Sequence, residues 1–159
     1  MERFLCDEML ARLCRYLRAA GYDAALARDG IRDRVLLQQC RAEARRFLTL
    51  DRRIHEHKAA ADVAVILPTP RLEDQAQILA SVFGLDWLSC AFTRCLVDNT
   101  PLLPATAGQR ARFPWLPKGD AEPVSACPDC GRVYWRGSHY RRMRERLEAW
   151  QRQRLAALH

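Results

Sequence analysis

The sequence predicts an α/β fold: a parallel sheet flanked by helices, then a small cysteine-bearing segment and a last helix. Three observations carry this. Short apolar runs at residues 3–6, 22–26, 45–50 and 62–67 alternate with stretches of helical period. Strands joined through helices run parallel, because a parallel pair needs a crossover connection. After Leu85 the composition shifts, with six of the eight prolines between Pro101 and Pro128 and the run Cys127-Pro128-Asp129-Cys130-Gly131 at its end. The expected division is residues 1–88 for the sheet domain and 89–159 for the cysteine-bearing segment with its basic helix.

After the first strand, Leu10, Leu13, Cys14 and Leu17 line one face of a helix, which Gly21 ends. Residues 22–26 form the second strand, and Arg28-Asp29-Gly30 a turn. Asp33 opens a helix carrying Leu36, Leu37, Cys40 and Ala44. The third strand ends at Leu50, a short helical stretch spans 54–60, and 62–67 reads as a fully buried fourth strand. Thr69-Pro70 offers an N-cap and a proline at the first position of a helix bearing Leu72, Ala76, Leu79 and Phe83, stopped at Gly84. Residues 132–135 read as a strand. Ser138 then caps an arginine-rich helix reaching Leu158, with Met143, Leu147, Trp150 and Leu158 as its apolar stripe.

At 159 residues and 49% hydrophobic content, the chain suits one domain, or one small domain with an appendage. The net charge of +7 and pI near 9.4 fit a polyanionic partner, nucleic acid before an anionic membrane, or serve solubility alone. No apolar run approaches the roughly 20 residues of a membrane span, and Glu2, Asp7, Glu8 and several arginines near the start are unlike a signal peptide. Seven cysteines without a regular framework point to a reducing, cytoplasmic setting with metal or core roles.

Three acids share an address. Asp7 follows the first strand, Asp51 follows the third, and Asp33 opens a helix. Ligands of open α/β sheets bind beyond the carboxyl ends of the strands. Three carboxylates there suit a metal-dependent nuclease centre holding Mg²⁺ or Mn²⁺, which take oxygen ligands. Asp7 and Asp33 can equally serve as helix caps. Thr49 is placed to orient Asp51 and is a candidate RNA contact. Arg12, Arg15, Arg18 and Arg52 are candidates for gripping phosphates, or a solvated face. Tyr134 and Trp135 can stack on unpaired bases, or pack against the segment that bears them.

Cys127 and Cys130, two residues apart and followed by Gly131, are one half of a zinc ribbon. Cys95 and Asp98 are the candidate second half, with Cys90 and His139 in reserve; a degraded, metal-free site is the competing reading. A redox dithiol needs a helix after Cys127, where the sequence reads as strand. Cys6, Cys14 and Cys40 fall in apolar patterns and read as core.

Several of these patterns coincide in one family. Phe4-Leu5-Cys6-Asp7-Glu8-Met9-Leu10 leads into Leu13-Cys14-Arg15-Tyr16-Leu17-Arg18-Ala19-Ala20-Gly21-Tyr22-Asp23. Asp33 with its helix precedes Arg46-Phe47-Leu48-Thr49-Leu50-Asp51. Phe92-Thr93-Arg94-Cys95, Cys127-Pro128-Asp129-Cys130 and Tyr134-Trp135-Arg136-Gly137-Ser138-His139 complete the series. In order and spacing, over nearly the whole chain, it resembles the Mut-seven C-terminal RNase family, a PIN-like nuclease domain joined to a zinc ribbon.

The resemblance implies a PIN-like fold and metal-assisted RNA cleavage, with Asp7, Asp33 and Asp51 at the family's acidic positions. Three departures stand out. The further acid that PIN domains commonly add has no clear equivalent, Glu8, Asp29 and Glu43 being the candidates. Leu50 stands where the family usually has arginine, with Arg52 or Arg53 to compensate. Asp98 replaces a zinc cysteine. The competing readings are a non-catalytic RNA-binding module and a toxin-type RNase with a cognate inhibitor; a homodimer is left open.

Overall fold

In a computed structural model describing residues 1–119 and 121–159, β1 (Phe4–Cys6), β2 (Ala24–Leu26), β3 (Arg46–Thr49) and β4 (Ala64–Ile66) form a parallel sheet in the order β2-β1-β3-β4. Alternation along a strand sends Phe4, Cys6 and Leu48 to one face and Leu5 and Phe47 to the other. The first face is covered by α1 (Ala11–Ala19), α3 (Leu72–Phe83) and α5 (Ser138–Ala157), which also pack on one another. The second face is covered by α2 (Asp33–Glu43) through Leu36, Leu37 and Cys40. Helices thus flank the sheet on both sides, and crossovers of this kind set every strand's carboxyl end at one edge of the layer.

Five local expectations are corrected. The run 62–67 contributes only a half-buried strand, because β4 lies at the sheet edge and pairs with β3 alone. Helix α2 ends one residue before Ala44, which takes a left-handed φ of +53° and is exposed. Helix α3 begins at Leu72; the Thr69 hydroxyl instead accepts the Arg71 N–H at 3.2 Å, in a turn before the helix. The N-cap position of helix α5 is Gly137, with Ser138 already the first helical residue; the Trp135 indole lies over residue 137, where a Cβ would stand 2.8 Å from its Nε1. Its stripe is Met143, Leu147 and Trp150, all buried, whereas Leu158 is 68% exposed on the last turn.

The remaining elements form a second layer. β5 (Leu103–Pro104), β6 (Ser125–Ala126) and β7 (Val133–Tyr134) make a small antiparallel sheet, and α4 (Ala107–Ala111) is closed by a reciprocal Thr106–Gln109 capping box. The turn at 95–100 docks this layer on the main sheet. Asn99 accepts the Ala24 N–H at 3.0 Å and donates to Asp23 at 2.6 Å, while Arg94 donates to Gly21 O at 3.2 Å. Gly21 is required at that junction: its φ is +93°, and a Cβ would meet the Cys90 carbonyl oxygen at 2.2 Å. Among the described residues, no helix is long and apolar enough to cross a membrane.

Candidate active site and metal centre

Asp7, Asp33 and Asp51 come from three separate segments and line one open cleft of about 420 Å³ at the carboxyl end of the sheet. Thr49 lies fully buried beneath them. Its hydroxyl donates to Asp7 Oδ2 at 2.8 Å and accepts the Asp51 backbone N–H at 3.0 Å. The sequence suggests that Thr49 orients Asp51; it does so through the main chain, and its proton goes to Asp7. Burial also takes it out of reach of a bound RNA.

Each carboxylate has its own support. Asp7 Oδ1 accepts the Glu8 N–H at 2.9 Å, and Asp51 Oδ1 accepts the Arg53 N–H at 2.9 Å, each opening a short 3-10 turn. Asp7 therefore caps and still presents lone pairs to the cleft. Asp33 is the first residue of α2 and caps nothing; the ring of His57 stands 3.9 Å from its Oδ2. An all-oxygen donor set suits a hard divalent cation. Among the described residues, only the cysteine cluster below gathers three or more acidic, thiol or imidazole ligand atoms within 4.8 Å of one another. The ligand atoms of Asp7, Asp33 and Asp51 do not all come within that distance of one another.

Of the three candidates for a further acid, Glu8 lines the cleft. A hydrogen bond to the Asp29 carboxyl, reinforced by repulsion from it, pushes the Glu8 pKa up. Glu43 is not in the cleft lining; it is tied to Arg45 at 2.5 Å and Gln39 at 3.1 Å. Leu50 lines the cleft as an apolar side chain, and Arg28 is the cation in its wall. The sequence places Arg28 only in a turn, and nothing in its local pattern marks it as part of the site.

The arginines of α1 divide. Arg12 and Arg15 are exposed, with Arg15 Nη2 2.9 Å from His139 Nε2. Arg18 is 7% exposed and cannot grip a phosphate: its guanidinium donates to the carbonyls of Ala24, Leu96 and Val97 at 2.7, 3.1 and 2.9 Å. Arg52 is exposed beside Asp51 but lies outside the cleft lining.

A second cluster assembles at the other layer. One ligand atom from each of Cys95, Asp98, Cys127 and Cys130 lies within 4.8 Å of the rest, and Cys95 Sγ is 3.7 Å from Cys130 Sγ. Tetrahedral zinc with bonds of about 2.3 Å separates two sulfurs by about 3.8 Å. The donors fit zinc. Two tight turns present them: Asn99 N–H bonds to Cys95 O at 3.0 Å, and Gly131 N–H, at a φ of +76°, to Cys127 O at 2.9 Å. Desolvation raises the Asp98 pKa, but the Thr100 N–H and the thiols of Cys95 and Cys127 outweigh it and hold the carboxylate well below its usual range.

Tyr134 is corrected as a stacking residue by its own hydroxyl. That oxygen lies 3.1 Å from Cys95 Sγ and accepts the Leu96 N–H at 3.1 Å. Desolvation and the Cys95 sulfur push the phenol's pKa up, so it persists as a donor toward sulfur. Trp135 packs on Trp115, ring centroids 4.7 Å apart. Neither reserve ligand takes part: His139 faces Arg15, and Cys90 lies outside the set formed by Cys95, Asp98, Cys127 and Cys130. Val133–Tyr134 is a strand after Cys130, which removes the helix a redox dithiol requires.

A family model described as the Mut7-C RNAse domain matches residues 2–147. Neither the curated proteins nor the solved structures yielded a match. The matched span contains the parallel sheet, the carboxylate cleft and the cysteine cluster. With that coverage, the chain belongs to the Mut7-C RNAse domain family, and a ribonuclease-type function comes with it.

Proposed function

We propose that this chain is a divalent-metal-dependent ribonuclease that hydrolyses RNA phosphodiester bonds at the cleft of Asp7, Asp33 and Asp51, with residues 1–88 as the nuclease part and 89–159 as a zinc-holding part. One observation carries the reading. Three carboxylates far apart in sequence share one cleft at the strand ends of a member of this family, and Thr49 is buried under two of them.

Bound Mg²⁺ or Mn²⁺ would supply Lewis acidity toward a phosphoryl oxygen and a more acidic water. The chain's own residues do the rest. Asp7 and Asp51, each fixed through one oxygen by a backbone N–H, would be the principal ligands of the cation, and Asp33 would be the third. Arg28 offers a positive charge to a phosphate entering the cleft. Arg12, Arg15 and Arg52, all exposed, add affinity independent of sequence. Zinc on Cys95, Asp98, Cys127 and Cys130 is structural.

The apolar Leu50 in the cleft wall favours a second reading, an RNA-binding module without productive metal binding. One assay separates the two. Labelled single-stranded RNA is incubated with wild type and Asp51→Asn under Mn²⁺, Mg²⁺ or EDTA. Metal-dependent cleavage lost in the variant supports the nuclease; RNA bound equally by both proteins and cut by neither supports the binding module. Cleavage that survives in Asp51→Asn removes the carboxylate centre from the account.

A further inference from the structure

A cavity of about 520 Å³ lies away from the carboxylate cleft, between the cysteine-bearing layer and the start of α5. A volume of that size accepts a nucleotide-sized ligand. Its walls are aromatic and cationic: Phe92, Trp135 and Tyr140 with Arg94, Arg136 and His139, and no aspartate or glutamate is among its lining residues. Two features look built for a flat ring. Phe92 holds a left-handed φ of +62°, a conformation a bulky side chain rarely adopts, and its ring lies 4.2 Å from that of Tyr140. Trp135 at the cavity wall continues outward to Trp115, which is 58% exposed, and on to Phe113 at 5.3 Å. A line of aromatic faces therefore runs from solvent to the cavity.

We infer that this cavity and the Trp115–Trp135 pair form a track for unpaired bases of single-stranded RNA, one base inside against Phe92 and Tyr140 and its neighbour on Trp115. The inference rests on the ribonuclease reading only for the identity of the polymer. Stacking is tolerant of sequence because every base has a π-face, and basic side chains beside the rings serve the phosphates between them. Arg15 donates to Nε2 of His139, which leaves the Nδ1–H of a neutral imidazole as a donor to a base edge. Duplex RNA, whose bases are already stacked and paired, cannot use the track.

The test is fluorescence anisotropy in EDTA, where cleavage cannot contribute, on labelled ten-nucleotide RNAs: single-stranded, the same strand with abasic sites, and a duplex. Wild type should prefer the intact single strand to the abasic one by about tenfold or more, as base–aromatic stacking implies. Trp115→Ala, at an exposed position, and Tyr140→Ala should each lose that preference while binding abasic RNA as wild type does. Affinity within twofold of wild type in both variants, equal loss on abasic and duplex RNA, or no RNA binding by wild type overturns the inference. Asp51→Asn keeps the two readings apart. If it retains the preference for intact strands while wild type cuts nothing, the nuclease reading fails and the track stands; if wild type cuts but shows no such preference, only the track fails.

Discussion

Thr49 Oγ1 stands 2.8 Å from Asp7 Oδ2 and 3.0 Å from the Asp51 nitrogen, so one buried hydroxyl sets two of the three acids. Thr49→Val keeps the volume and removes both bonds. Partners of this kind typically change metal affinity by about 10–100-fold. The Mn²⁺ concentration for half-maximal RNA cleavage should rise by about that factor, with RNA affinity in EDTA unchanged. An unchanged metal requirement would remove Thr49 from the site.

Zinc content tests the four-ligand cluster directly. Cys127→Ser should purify without stoichiometric zinc, by elemental analysis, and unfold at a lower temperature, because ligand binding to the native state stabilises it. Asp98→Cys replaces a hard donor by a thiolate and should hold zinc more tightly against a competing chelator. Equal zinc retention in Cys127→Ser would place the ion elsewhere.

Gly21 lies against the Cys90 backbone at the junction of the two layers. Gly21→Ala meets both a left-handed φ and a carbonyl oxygen 2.2 Å away, and neither can move aside cheaply. The loss of stability, read by urea denaturation, should exceed about 2 kcal/mol.

Arg15 and Arg18 lie on one helix and should fail differently. Arg18→Met removes the guanidinium hydrogen bonds to the carbonyls of Ala24, Leu96 and Val97 and should cost about 2–4 kcal/mol of stability. Arg15→Ala should leave stability nearly unchanged and lower the salt slope of single-stranded RNA binding by about 0.7.

Asp23 supplies a pH dependence. Desolvation raises its pKa, but hydrogen bonds from Arg45, Asn99 and Arg3 more than offset this and depress it well below its ordinary value of 3.8. A depressed native pKa means the unfolded state binds the proton first. The stability Asp23 contributes is therefore complete above that ordinary value and is lost as pH falls toward the native one. Asp23→Asn should be less stable than wild type at neutral pH, and the two urea midpoints should converge on acidification.

The parallel sheet was legible because its buried strands are apolar runs at regular intervals, and the cysteine spacing marked the metal cluster even with Asp98 in the set. What the sequence concealed is mostly orientation. Arg12, Arg15 and Arg18 look alike in a row, yet Arg18 turns inward because unpaired carbonyls lie beneath it. Tyr134 reads as a stacking residue until its hydroxyl is seen at Cys95, and Arg28 joins the cleft only through the packing of a turn. The apolar run 62–67 gives no sign that its strand lies at an edge, since strand order is set by the crossovers and not by the run itself.

Edge position gives the docking turn a second consequence. β2 ends the sheet on one side, and a bare strand edge is a template for another chain. Here the outward N–H and C=O of Ala24 are taken by Asn99 and Arg18, and the residue that closes the edge sits one position after Asp98, a ligand of the proposed zinc site. Release of the ion would loosen that cover. The failure expected of a zinc-stripped protein is therefore self-association through an uncovered strand, ahead of global unfolding: chaperone demand in the cell, and light scattering that rises with protein concentration in the tube.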